Sequence, residues 1–283
     1  MARIEARLTG AMTDIRSLLL HLDATPASQA RLAFAHALAD RHGARLTALF
    51  GVRPDASQPS FAYSAAAALE AAESHGSPID AERARLRDLL ALGESECVWC
   101  DVVGDSLLHG FVAEAIYADL LVLGAPGAEE GGPPAGFVEM VILQGGTPAL
   151  LVPHALSVET ICERALVAWN GSVPAARAVK AALPLLRVAA QVDVVSWARH
   201  GPSAPFSGLD LGGWLQRHDV DARVHRRPAA AHVAEELRSS VRELGADLVV
   251  MGCYGHSRVR EQVFGGVTRR LLAELPVPVL MAH

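Results

Sequence analysis

The sequence predicts an α/β protein built from two doubly wound parallel sheets, and three observations carry that prediction. Short apolar runs alternate with longer stretches whose apolar residues recur at helical spacing. The alternation runs through the 283 residues twice, and segments that match one another open, centre and close each half. "SLLLHLDATPASQARLAFAHAL" (17–38) corresponds to "RALVAWNGSVPAARAVKAALPLL" (164–186), "ADLLVLGAPG" (118–127) to "ADLVVMGCYG" (246–255), and "TPALLVPH" (147–154) to "VPVLMAH" (277–283). Strands that alternate with helices imply parallel sheets covered on both faces and joined by right-handed crossovers. The halves divide near Ser157, giving two domains, 1–156 and 157–283.

In the second half the expected strands are "ALVAW", "QVDVVSW", "DARVHR", "DLVVMG" and "PVLMA". The segments "SVPAARAVKAALPLLRV" and "AHVAEELRSSVRELG" carry helical periodicity, with Ser172 as a natural N-cap, Pro174 close behind it, and Gly245 ending the later helix. The first half follows the same order, interrupted by an Ala-, Ser- and Pro-rich insertion at 53–80 that reads as a loop with a helical stretch. The closing segments "PALLVP" and "PVLMA" are apolar strands that would be exposed edges if left alone. They are expected to meet and make the chain an intramolecular pseudo-dimer. A homodimer of whole chains remains open on the sequence.

Composition narrows the function. No run approaches the roughly 18 apolar residues of a membrane span, and the charged, short-cored N-terminus fits a signal peptide poorly. Four cysteines do not make a disulfide framework in a chain of this size, which points to the reducing cytoplasm. The net charge of −6 argues against a nucleic-acid partner, whose affinity rests on basic surface. Lys180 is the only lysine and lies far from any glycine-rich turn, so a Walker A phosphate loop is excluded.

One segment carries most of the chemistry. "MGCYGHSRVREQVFGGVTRRLL" (251–272) follows the apolar run "ADLVV" and leads into a helix start. In an open parallel sheet, ligands bind beyond the carboxyl ends of the strands, where the strand order reverses. "WNGS" (169–172) leaves the first strand of the same half at the same edge, so neighbouring strands would bring the two loops face to face. Gly252 and Gly255 let the backbone approach an anion closely. Gly265 and Gly266 offer N–H groups at the N-terminus of the helix "VTRRLLAEL", where the dipole favours negative charge, and Thr268 adds a hydroxyl. An ordinary glycine-rich surface turn has the same spacing, so the residues alone leave both readings open.

The arrangement Gly252-Cys-Tyr-Gly255, nine residues, then Gly265-Gly266-Val267-Thr268, with "PVPVL" at the end, resembles the nucleotide-binding motif of the universal stress protein family. Both halves follow that family's five-strand plan, so the chain is similar to a tandem universal stress protein. The resemblance implies the universal stress protein/adenine nucleotide alpha hydrolase-like fold with strand order 3-2-1-4-5, pairing of two such units, and ATP or ADP lying across the strand-order reversal. It places Gly252, Gly255, Gly265, Gly266 and Thr268 around the phosphates, Asn170 near the ribose and the adenine around Val195, with Met251 and Val267 also in the nucleotide site and Mg²⁺ accompanying the nucleotide. Asn170 stands where nucleotide-binding members usually carry aspartate, and Gly266 where they usually carry serine or threonine. A neutral amide still hydrogen-bonds a ribose hydroxyl.

The first half departs further. It keeps Asp23, Gly124 and Gly127, but Phe137 falls where the next glycine belongs, and the loop from Gly127 to Pro148 spans 21 positions against 23 from Gly255 to Pro278. Glu129 and Glu130 oppose an anion, and Pro133 and Pro134 remove two backbone donors. Asp23 is therefore expected to cap the following helix, and at most one nucleotide per chain is expected.

Other motifs are weaker. "CVWC" (97–100) has CxxC spacing but lies in a strand-like run, and "GHSRV" (255–259) lacks the second glycine of a nucleophile elbow. His256, Arg258 and Arg260 flank the glycine loop without forming a catalytic constellation. The leading reading is a cytoplasmic stress-response protein that binds an adenine nucleotide and acts through sensing or protein contacts. A weak ATP hydrolase, or a structural or small-ligand module without nucleotide, are the alternatives.

Overall fold

The computed structural model describes residues 15–51, 78–93, 96–102, 107–127, 130–156, 162–198, 210–228, 233–253 and 277–283. Each half contributes five strands. The first half supplies β1 (Ser17–Leu22), β2 (Arg45–Phe50), β3 (Cys97–Asp101), β4 (Leu120–Gly124) and β5 (Ala149–Val152). The second supplies β6 (Arg164–Ala168), β7 (Gln191–Ala198), β8 (Ala222–Pro228), β9 (Leu248–Gly252) and β10 (Val279–Ala282). All ten join one sheet in the order β3-β2-β1-β4-β5-β10-β9-β6-β7-β8. Every neighbour is parallel except β5 and β10, which pair antiparallel with Leu151 opposite Val279 and Leu150 opposite Leu280.

Each half thus has strand order 3-2-1-4-5, and the two closing strands meet at the centre. The order reads the same from either end, so an approximate two-fold relates the halves. Leu150 and Leu280 are fully buried together on one face of the seam, while Ala149, Leu151, Val279 and Met281 are buried on the other. Two strands that alone would be open edges therefore satisfy each other's backbone groups.

The seven helices among the described residues cover both faces. α1 (Ala27–His42), α2 (Pro78–Leu90), α5 (Val173–Val188) and α6 (Leu211–Arg217) follow the first and second strands of each half. They lie over a core that includes Leu20, Phe34, Leu38, Leu86, Val167, Leu183 and Leu186. α3 (Leu107–Ala115), α4 (Phe137–Gly145) and α7 (Val233–Leu244) lie on the opposite face, over Leu121, Leu166, Val195 and Val249. α5 follows the predicted signals: Ser172 accepts the Ala175 N–H, Pro174 sits in the first turn, and Ala178, Val179, Ala182, Leu185 and Leu186 face inward. α7 ends at Gly245, whose φ of 60° is the left-handed conformation that closes a helix.

The repeated "AD" before the fourth strand of each half has a structural purpose. The Asp119 carboxylate accepts the N–H groups of Arg16 and Ser17 at 2.9 Å, just where β1 begins. Asp247 accepts those of Glu163 and Arg164, at 2.9 and 2.8 Å, where β6 begins. The same residue pins the first strand to the fourth in both halves. α6 forms in "LGGWLQR" despite two adjacent glycines, which disfavour a helix. It forms because Asp210 caps it, accepting the Gly213 N–H at 2.6 Å, and because Leu215 is buried.

Candidate functional site

The strand-order reversal of the second half falls between β6 and β9, which pair with Ala168 opposite Met251. The loop Trp169–Ser172 and the segment after Gly252 therefore leave neighbouring strands at the same edge, as the spacing predicts. Asn170 is exposed there, and its side-chain oxygen accepts the Ser172 N–H at 3.1 Å, shaping the turn into α5. Met251, opposite Ala168 on the neighbouring strand, is partly buried. Val195 is not a lining side chain: it is fully buried under α7, and its carbonyl accepts the Trp169 N–H at 2.8 Å.

Gly252 has a role that spacing did not reveal. A Cβ there would stand 2.3 Å from the Ala175 nitrogen and 2.5 Å from the Pro174 carbonyl carbon. The first turn of α5 rests directly on β9, and only a glycine permits that approach. Helix packing alone requires glycine at this position, with or without a phosphate beside it. Gly255, Gly265, Gly266, Val267 and Thr268, with His256, Arg258 and Arg260, lie outside the described residues.

Behind Gly252 the chain turns inward. Cys253 donates its N–H to the Ala282 carbonyl at 3.1 Å, and burial pushes its thiol up to about 12. Arg177 on α5 donates to the His283 carbonyl at 2.7 Å. The floor of the crevice is thus tied to the last strand.

The equivalent place in the first half is filled. Asp23, which corresponds to Asn170, is buried, and its Oδ2 accepts from Nη2 of buried Arg31 at 2.8 Å. Its Oδ1 accepts the Thr25 N–H at 3.0 Å and the Ser28 hydroxyl at 2.8 Å, together with the Thr25 hydroxyl. Burial opposes ionisation, but the Arg31 guanidinium, the charge that His21 carries when protonated, and the two hydroxyls outweigh it and hold the carboxyl at about 2. The expectation that Asp23 caps the helix is corrected here: the N-cap position is Pro26, and the carboxylate binds the turn and Arg31 instead.

Arg31 also lies against Gly124, where a Cβ would be 2.2 Å from its Nη1. Phe137 opens α4 almost fully buried, 4.8 Å from the His21 ring and 5.6 Å from Phe111. Ala24 donates its N–H to the Gly131 carbonyl at 2.9 Å, closing the loop after β4 over the loop after β1. What remains is a cavity of about 30 Å³, room for about one water molecule. His21 is held neutral: burial lowers its pKa to about 4, against the opposing pull of Asp23.

Cys97 and Cys100 lie three residues apart on β3, so they face opposite sides of the sheet, about 10 Å apart along the strand. Disulfide geometry requires Cα atoms within about 7 Å, so the CxxC spacing makes no redox pair in this strand. Among the described residues no three His, Cys, Asp or Glu side chains are grouped to hold a metal ion. No helix of the described residues is long and apolar enough to cross a membrane.

Two units of strand order 3-2-1-4-5, with helices on both faces, make the fold seen in solved universal stress proteins. Residues 162–283 match the model of the Universal stress protein family. A universal stress protein from Archaeoglobus fulgidus is similar over 95% of this chain and 96% of its own, with a TM-score of 0.70 at 16% identity. A protein of unknown function from Pseudomonas aeruginosa is similar over 94% of this chain and 92% of its own, with a TM-score of 0.58 at 14% identity. A shorter protein of the universal stress protein family from Burkholderia pseudomallei is 28% identical over 41% of this chain and 92% of its own, with a TM-score of 0.30. No curated protein matches the chain.

Proposed function

We propose that the chain is a cytoplasmic tandem universal stress protein, with domains 1–156 and 157–283, that binds one adenine nucleotide in its second half. The observation that carries this reading is the contrast between the halves at the strand-order reversal. Asp23 is locked to Arg31 beneath Phe137, whereas Asn170 is exposed and its side chain only shapes the turn into α5. The family match at 162–283 falls on the half in which this position is exposed. ATP or ADP would lie with its ribose at Asn170 and its phosphates on Gly255, Gly265, Gly266, Val267 and Thr268, accompanied by Mg²⁺. Converging backbone donors suit a triphosphate, which carries most of the ligand's charge. The bound protein would act through contacts that differ between its loaded and empty states.

Denaturing the purified protein and chromatographing the extract tests for copurified nucleotide. Isothermal titration with ATP and Mg²⁺ should then give at most one site per chain, and Gly265→Val should abolish it with the fold intact by circular dichroism. A stoichiometry of two, or full affinity in Gly265→Val, would overturn this placement.

A further inference from the structure

We propose that the second half carries a second binding site, for a small aromatic carboxylate, in the groove between α5 and α6. The two halves differ there in one definite way. Sheet register makes Phe50 on β2 equivalent to Ser196 on β7, and Trp99 on β3 equivalent to Val224 on β8. In the first half the Phe50 and Trp99 rings stack, 5.7 Å between centroids and 21° between planes, under the helical layer where α1 meets α2. In the second half both rings are missing, and α6 presents Gly212 and Gly213 towards the space they would fill.

The result is a cavity of about 710 Å³, within the range of pockets that enclose small molecules. Val194 and Val224 form its floor, and Trp169 and Trp214 stand in its walls. Two indoles give a planar guest rigid apolar faces with polar edges. A single ring system takes the place of the stacked pair that fills the first half.

The charges select an anion. Lys180 and Arg226 line the groove, and neither has an ion pair among the described residues. Arg226 stands at the position of Asp101 in the first half, a reversal of sign at equivalent places in the fold. The one lining carboxylate, Asp210, is turned to the backbone as the cap of α6. A carboxylate on the guest would bridge the two cations by charge-assisted hydrogen bonds. The groove shares Trp169 and Gly171 with the loop that carries Asn170, but Asn170, Val195, Met251 and Gly252 do not line it, and its cations and α6 belong to the groove alone, so the inference does not rest on the nucleotide reading.

Isothermal titration of the full chain with naphthoate tests it. Saturable binding with a dissociation constant below about 1 mM is expected, unaltered by saturating ATP. Arg226→Gln and Lys180→Gln, both at exposed positions, should each weaken it about tenfold. The double variant Ser196→Phe, Val224→Trp, which rebuilds the aromatic pair, should abolish it. No saturable binding by the wild type would overturn the proposal, as would binding that survives the glutamine variants. Competition by ATP would merge the groove with the nucleotide crevice and overturn it as a second site. Dodecanoate binding in the absence of naphthoate binding would overturn the aromatic class of ligand.

Discussion

Arg31 donates to Asp23 across 2.8 Å with both side chains almost wholly removed from solvent, at the point where the first half would otherwise open a crevice. The pair is anchored on every side: Arg31 Nε donates to the His21 carbonyl at 2.8 Å, and its Nη2 reaches the Ser28 hydroxyl at 2.7 Å. A buried ion pair of this kind adds little over well-packed apolar residues, but removing one partner strands the other charge. Arg31→Met is therefore expected to cost about 3–5 kcal/mol in urea unfolding, and adding Asp23→Asn should recover part of that loss. A single variant as stable as the wild type would show that Asp23 finds water or another partner.

His21 gives the fold a pH dependence above the range of the carboxylates. Its folded pKa lies near 4 against an unfolded value of 6.5, because burial resists the charged ring. Between those values the unfolded chain holds a proton that the folded chain does not, so stability falls as pH drops from 6.5 to 4. The loss is about 3 kcal/mol across that window. Asp23 contributes a further decline below about 4, as its carboxylate is protonated while paired to Arg31. His21 also donates from Nε2 to the Gly51 carbonyl at 2.9 Å, and glutamine can retain such a donor. His21→Gln should flatten the decline between pH 6.5 and 4 in denaturant titrations, and an unchanged slope would assign it elsewhere.

Gly252→Ala is expected to destabilise the protein before it affects any ligand. Its methyl group would meet the backbone of Ala175 and Pro174, which cannot move without lifting α5 from β9. Overpacking of this sort costs about 1–3 kcal/mol. The corresponding Gly124→Ala meets the end of the Arg31 side chain instead, so it should disturb the ion pair and spare the helix. Thermal unfolding of both variants separates the two cases; a Gly252→Ala protein with unchanged melting would place α5 further from the strand.

The central seam should be among the slowest parts of the molecule to exchange. Backbone amides of Leu151 and Leu280 lie between paired strands and beneath helices, far from either sheet edge. Their hydrogen-exchange protection should approach that of β1 and β6. Exchange as fast as that of the edge strands β3 and β8 would mean that the halves separate readily.

The strands and the larger helices were legible because apolar alternation and helical spacing are local properties, and the repeat supplied a check on each. The adjacency of Asn170 and Gly252 followed from that plan. Three features escaped because they depend on contacts remote in the chain. α6 rests on one cap and one buried leucine against the grain of its glycines. Asp23 pairs with Arg31 eight residues on, a partner invisible until α1 is laid over Gly124. Gly252 reads as a ligand glycine in the linear motif, and its packing role, where a helix meets a strand, shows only in the fold. Aligning the halves strand by strand sets Phe50 against Ser196 and Trp99 against Val224, a sequence signal that marks the groove beside α6.

The antiparallel pairing of β5 with β10 also changes what dilution can do. Two separate chains meeting through their closing strands would part at low concentration, whereas a covalent link supplies each strand with a partner at fixed local concentration. A symmetric pair of identical chains must moreover carry the same pocket twice. Joined in one chain, the halves are free to differ, and one can harden around a buried arginine while the other keeps an exposed asparagine at the same place. The linkage turns an assembly into an individual with two unlike sides.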